Sequence, residues 1–257
     1  MILDKAVRKM MLVTLPLMSL LAIFQIRAII MKKITLTVFL FFLSFFTYSA
    51  GLSLNKTRII FNEGDKSASV TFKNNVGSPF LVQNEIYDVD NKKSDFFIIT
   101  PNIFRVEKNS TFMMRIFPAS LSLLPKDRES VFYFSSRAIP PKKNDEKGSG
   151  KLSIVTNLVI KLYYRPKNLD MAVKDSYGKI SVSYENNTLT INNPTPYYTT
   201  LVDMKVNNNR KIKNKMVAPY SHITIPDMAG LSSFSWRIMN DYGGTTKPFI
   251  FESKAKK

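Results

Sequence analysis

Few side chains in this sequence are equipped for covalent chemistry. Its 257 residues include one histidine and no cysteine, which excludes a disulfide framework and thiolate chemistry. The histidine, His222, lies between Ser221 and Ile223 in a polar, β-like segment. A Ser/His/Asp arrangement can be drawn through it, yet a lone histidine in such a strand reads as a surface or partly buried side chain. No group of residues has metal-ligand spacing, and no phosphate-binding loop is present. The sequence therefore points away from an enzyme and implies neither a metal nor a cofactor.

Cationic side chains are the abundant resource. There are 37 Lys and Arg against 19 Asp and Glu, a formal charge of +18. The first 50 residues hold six of the basic residues and one of the acidic ones, leaving 31 and 18 beyond them and a charge near +13. Such a balance favours acidic partners in general, whether nucleic acid, anionic surfaces or carboxylates.

The elements that must position these charges follow two apolar runs at the start. The first, Met10 to Ile26, contains Pro16 and Gln25. The second opens with Met31, Lys32 and Lys33, is apolar from Ile34 to Phe46, and closes on T-Y-S-A. Charged beginning, apolar middle and small-residue end make residues 31–50 a secretory signal, cut after Ser49 or Ala50. Both runs are short for membrane spans of about 20 residues. Residues 1–30 are read as an upstream extension from a misassigned start, and the mature chain as exported and without stable membrane insertion. Export makes nucleic acid an improbable partner.

Beyond residue 50 the pattern is that of strands. β-rich segments fall at Leu54–Phe61, Ser67–Phe72, Phe80–Tyr87, Phe96–Ile99, Ser110–Ile116 and Val131–Ser136, separated by turn clusters such as N-E-G-D-K and D-V-D-N-K-K. Strands at this spacing suggest an immunoglobulin-like sandwich. After Arg165-Pro166-Lys167-Asn168 a second series follows, from Lys179–Tyr184 to Phe249–Phe251. The expected architecture is all-β: two immunoglobulin-like sandwiches, residues 51–168 and 169–257, set at an angle with a cleft between them. Ser120 to Pro125 is the one candidate for a short helix.

One stretch stands out, Gly150 to Pro166. Leu152, Ile154, Leu158, Ile160 and Leu162 share one parity with Thr156, and Lys161 lies on the other. Alternation with period two argues for a strand. The charged, glycine-punctuated segment Lys142 to Gly150 precedes it. A buried sandwich strand satisfies the pattern; so does an apolar edge that a partner covers, since such an edge left bare invites aggregation.

Six strings, in order, resemble the periplasmic chaperones of the chaperone–usher pathway of pilus assembly. They are L-S-L-N-K-T-R-I-I-F (Leu52 to Phe61), L-P-K-D-R-E-S-V-F-Y-F (Leu124 to Phe134), R-A-I-P-P (Arg137 to Pro141), I-K-L-Y-Y-R-P (Ile160 to Pro166), N-N-P-T-P-Y-Y (Asn192 to Tyr198) and N-D-Y-G-G (Asn240 to Gly244). The resemblance implies a periplasmic protein that stabilises pilus subunits by donor-strand complementation and delivers them to an outer-membrane usher. Leu152, Ile154, Thr156 and Leu158 match the donor strand, with Thr156 where the family usually has a large apolar residue. Each fully buried Leu or Ile contributes about 1.5–3 kcal/mol. Arg58 and Lys161 match the cations that hold the subunit's C-terminal carboxylate. Glu129, Arg165 and Asp241 match a salt bridge joining the domains. The absence of cysteine favours the family's short-loop branch. Thr100-Pro101-Asn102 lacks the second proline of the family's Thr-Pro-Pro turn, which leaves the proline isomer open. Self-association of the free protein, a basic immunoglobulin-like binding module, and a pilus subunit or adhesin stay open as alternatives.

Overall fold

The computed structural model describes residues 27, 30–39, 51–141 and 154–253. Leu152, the segment 142–150 and most of the stretch assigned to the leader and its extension lie outside the described residues. The chain divides between Ser49 and Ala50 into two units. In the first, residues 30–39 are helical and exposed. Among the described residues no helix is long and apolar enough to cross a membrane.

The second unit holds two β-sandwiches. Domain 1 comprises β1 (Leu52–Leu54), β2 (Arg58–Asn62), β3 (Ala68–Asn74), β4 (Phe80–Tyr87), β5 (Phe97–Thr100), β6 (Ile103–Val106), β7 (Ser110–Pro118), β8 (Ser130–Ile139) and β9 (Thr156–Arg165). One sheet runs β1-β3-β7-β5, and the facing sheet β2-β9-β8-β4-β6. Alternation builds the core: Val70 and Phe72 of β3 are buried while Lys73 is exposed, and Val82 and Ile86 of β4 face the same interior. Phe97 sits edge-on to both Phe61 and Phe132, with ring centroids 5.3 and 5.2 Å away, a geometry that favours aromatic pairs.

The expected strand Leu54–Phe61 is in fact two. β1 pairs with β3 in one sheet, and β2 pairs with β9 in the other. The chain crosses between sheets at Asn55-Lys56-Thr57, where Asn55 Oδ1 accepts the Thr71 N–H at 2.8 Å. β6 lies outside the expected strand segments and follows a cis Thr100–Pro101 peptide. Leu121–Leu123 forms a single 3-10 turn.

Domain 2 comprises β10 (Ser181–Glu185), β11 (Thr188–Asn193), β12 (Thr199–Val206), β13 (Arg210–Ile212), β14 (Lys215–Val217), β15 (Ser221–Ile225), β16 (Ser233–Ile238) and β17 (Phe249–Glu252). Its sheets run β10-β11-β15 and β13-β12-β16-β17, with β14 also on β12. Trp236 is buried between Phe234 and Phe249, stacked at 5.4 and 5.6 Å. A short helix, Val173–Ser176, lies between the domains in sequence. His222 is exposed on β15, opposite Asn192 of β11.

Candidate functional site

Two properties of β9 define the site. From Lys161 to Tyr164 the strand is flanked on both sides, by β8 and, in parallel, by β2. From Thr156 to Ile160 β8 is its one strand partner among the described residues, because β2 begins at Arg58, the register partner of Lys161. Among the described residues the other edge of Thr156–Ile160 has no strand partner, so part of its backbone N–H and C=O groups could pair with an added strand.

The apolar parity of β9 changes role along its length. Leu162 is buried in the domain 1 core, and Leu158 and Ile160 pack against that core while partly exposed. Thr156 is half-buried, and Ile154, just before the strand, is 67 % exposed. Leu158 is thus partly engaged by its own domain, whereas Ile154 projects past it.

The opposite parity faces domain 2. Lys161 Nζ lies 3.4 Å from Thr200 Oγ1 of β12. Tyr163 donates its hydroxyl toward Met216 Sδ at 3.7 Å, and its ring sits 6.0 Å from that of Tyr198. Burial pushes the Tyr163 hydroxyl up to about 12. Burial, and then the charge of Arg58, hold the Lys161 amine below the ordinary lysine value. Arg58 Nε is buried without a hydrogen-bond partner. Among the described residues neither cation has a carboxylate within ion-pairing distance. Two neighbouring cations, partly desolvated and without a counter-charge among the described residues, have the chemistry to hold a carboxylate.

Arg165, at the end of β9, joins the domains. Its Nε donates to Glu129 Oε1 at 2.7 Å, while Nη1 and Nη2 donate to the two Asp241 oxygens at 2.7 and 3.0 Å. Its guanidinium also stacks over Tyr197 at 5.2 Å. Glu129 is buried, and its second oxygen accepts the Tyr198 N–H at 2.9 Å. Burial pushes the Glu129 carboxyl up, against the opposing pull of Arg165. For Arg165 burial works against the charge, but hydrogen bonding to Asp241 and the Glu129 charge raise its pKa above the ordinary value.

The N-N-P-T-P-Y-Y string explains the domain 2 side of this contact. Buried Asn193 donates Nδ2 to the carbonyls of Tyr197 and Ala218, at 2.7 and 2.9 Å, and its Oδ1 accepts from Thr195 N–H and Oγ1–H. The loop is thereby fixed so that Pro196 O accepts the Glu129 N–H at 2.8 Å and Tyr198 N–H reaches Glu129. Residue-type reasoning passed over Thr200, Tyr163 and Gly243. Gly243, at φ +86°, comes so close to Thr57 that a Cβ on it would lie 2.5 Å from Thr57 Oγ1. The double glycine in N-D-Y-G-G was the available signal for that close approach.

Comparison with known proteins gives a consistent result. Residues 51–170 match the family described as "Pili and flagellar-assembly chaperone, PapD N-terminal domain", and residues 175–249 match "Pili assembly chaperone PapD, C-terminal domain". A probable fimbrial chaperone protein, ElfD of Escherichia coli O157:H7, is 36 % identical over 199 residues, covering 76 % of this chain and 84 % of its own. Among solved structures, the periplasmic chaperone SfaE is 33 % identical with a TM-score of 0.67, covering 78 % of this chain and 98 % of that one. The structure of the Salmonella enterica SafA pilin in complex with the SafB chaperone matches at 27 % identity and a TM-score of 0.72, covering 80 % and 98 % of the two chains.

Proposed function

The chain belongs to the family of pili and flagellar-assembly chaperones, and from that premise we propose that it completes the fold of a fimbrial subunit with the free edge of β9. The subunit adds a strand along Thr156–Ile160, and Ile154 and Thr156, with Leu152 before them, fill a groove in the subunit's apolar core. Leu158 contributes only the part of its surface that domain 1 leaves open. Arg58 and Lys161 grip the subunit's C-terminal carboxylate, and the Glu129–Arg165–Asp241 bridge keeps the domains at the spacing the grip requires. Residues 31–50 direct export, the protein works in the periplasm, and an outer-membrane usher receives its cargo.

The observation that carries this reading is the register of β2 on β9. An added strand running toward Arg165 must stop where β2 begins, and at that point stand Arg58 and Lys161. A chain end with its carboxylate both finishes a strand and offers two oxygens to the paired cations. Anchoring the end fixes register, and register matters because a slip of one residue turns the opposite face to the groove.

The test is co-expression with a fimbrial subunit and isolation of a one-to-one complex. Wild type should stabilise the subunit, while Arg58→Ala and Lys161→Ala lose it and remain folded. Equal recovery with either variant rejects the carboxylate anchor.

A further inference from the structure

The outer face of the β13-β12-β16-β17 sheet carries charge for which subunit capture has no use. Lys211 of β13 and Lys205 of β12 are direct cross-strand partners, and their row continues through Ser235 of β16 to Ile250 of β17. Like charges directly opposite one another weaken a strand pair. Arg237, on β16, donates Nη1 to Thr246 O at 3.2 Å, and its Nε lies 3.9 Å from Asp203. That is the one ion pair on this face among the described residues, and it leaves both lysines without a counter-charge. Asp203 is the residue of a bulge in β12, at φ +50°. At the bulge, Lys205, Lys211, Arg237, Asn214 and Asp203 line a concavity of about 510 Å³. Exposed Lys213 and Lys215 extend the positive field, and Ile250, 67 % exposed, adds an apolar point beside it. Glu252 is the other exposed carboxylate on the sheet.

We propose that this face docks the phosphate headgroups of an anionic membrane surface. Lysines are compact charges on flexible stems, suited to many headgroups rather than to one planar group in fixed geometry. Each basic side chain held near such a surface adds to the attraction. The single exposed isoleucine is too small an apolar centre for a stable protein interface. The proposal does not depend on the subunit site.

The purified protein is sedimented with vesicles of phosphatidylethanolamine and phosphatidylglycerol, and separately with phosphatidylcholine vesicles, across a salt series. Binding is read from the fraction of protein that sediments with the vesicles. Binding is expected to the anionic vesicles alone, weakening as salt rises. Lys205→Gln with Lys211→Gln should weaken it on the order of thirty-fold, the equivalent of about 1 kcal/mol for each lysine. The same variant should melt no lower than wild type, because a like-charge pair has been removed, and should recover a subunit as well as wild type does. Equal binding to both vesicle types overturns the proposal, as does undiminished binding by the variant. Calorimetric binding of millimolar inorganic phosphate without vesicle binding also overturns it, and would make the concavity a small-anion site instead.

Discussion

Lys161→Met keeps the aliphatic stem and removes the charge, so it isolates the electrostatic part of the proposed grip. The probe is a peptide with the sequence of a fimbrial subunit's C-terminal strand, made as the free acid and as the amide. A charge-assisted hydrogen bond to a carboxylate contributes about 1.5–3 kcal/mol when shielded from water. Wild type should therefore prefer the acid by roughly 10- to 150-fold in a calorimetric titration, and Lys161→Met should lose most of that preference. The unliganded protein should respond in the opposite direction. Arg58 and Lys161 are register partners with no acid beside them among the described residues, so removing one should leave stability unchanged or raise it by up to about 1 kcal/mol. The pH dependence follows from the lowered pKa of Lys161, caused first by burial and then by Arg58. A depressed amine pKa means the unfolded chain binds the proton more tightly. The cost to the free fold is thus full below the folded pKa and fades as pH rises toward the ordinary 10.5. The acid preference needs the charged amine, so it should decline before an ordinary lysine titrates, and Lys161→Arg should carry it to higher pH. If wild type binds acid and amide equally, or if Lys161→Met keeps the full preference of wild type, the carboxylate grip is refuted.

Four further expectations concern the scaffold and the donor edge. Glu129→Gln removes a buried carboxylate that holds both Arg165 and the Tyr198 N–H, and should cost about 3 kcal/mol in urea denaturation. Asp241→Asn, on the more exposed side of the same arginine, should cost about 1 kcal/mol. Gly243→Ala places a Cβ 2.5 Å from Thr57 Oγ1 at a φ of +86°, and should lower stability by about 1–2 kcal/mol for the left-handed backbone plus a steric part. Adding Thr57→Ala should recover the steric part alone, as differential scanning calorimetry would show. Thr156→Leu replaces a half-buried hydroxyl on the edge β9 presents, and should slow subunit release several-fold through about 1 kcal/mol of added apolar burial; faster release would contradict the assigned parity.

Period-two alternation made most of the fold legible, since β4, β7, β11 and β16 fill one face with apolar residues and turn clusters bound them. What stayed hidden has physical causes. β1 and β2 read as one strand because the switch between sheets is made by Asn55-Lys56-Thr57, which holds no glycine or proline to mark the break. β13 and β14 are three residues each and lysine-rich, paired through backbone groups that leave no apolar pattern. Family strings directed attention to Arg165, Glu129 and Asp241, and the structure brings their side chains together. Spacing alone gave no sign of it, because the contact spans residues 129 to 241 and depends on a loop fixed by Asn193. Thr200 was equally invisible, being one of several polar residues in β12.

The start of β2 opposite Lys161 has a wider consequence. On the proposed reading, β2 works as the zero mark of a ruler, and the client is measured backward from its final residue. Such a gauge is indifferent to most of the client's sequence and strict about how far its greasy positions lie from its terminus. One chaperone could then serve several subunits of differing composition, while a client lengthened by a single residue would be presented out of phase.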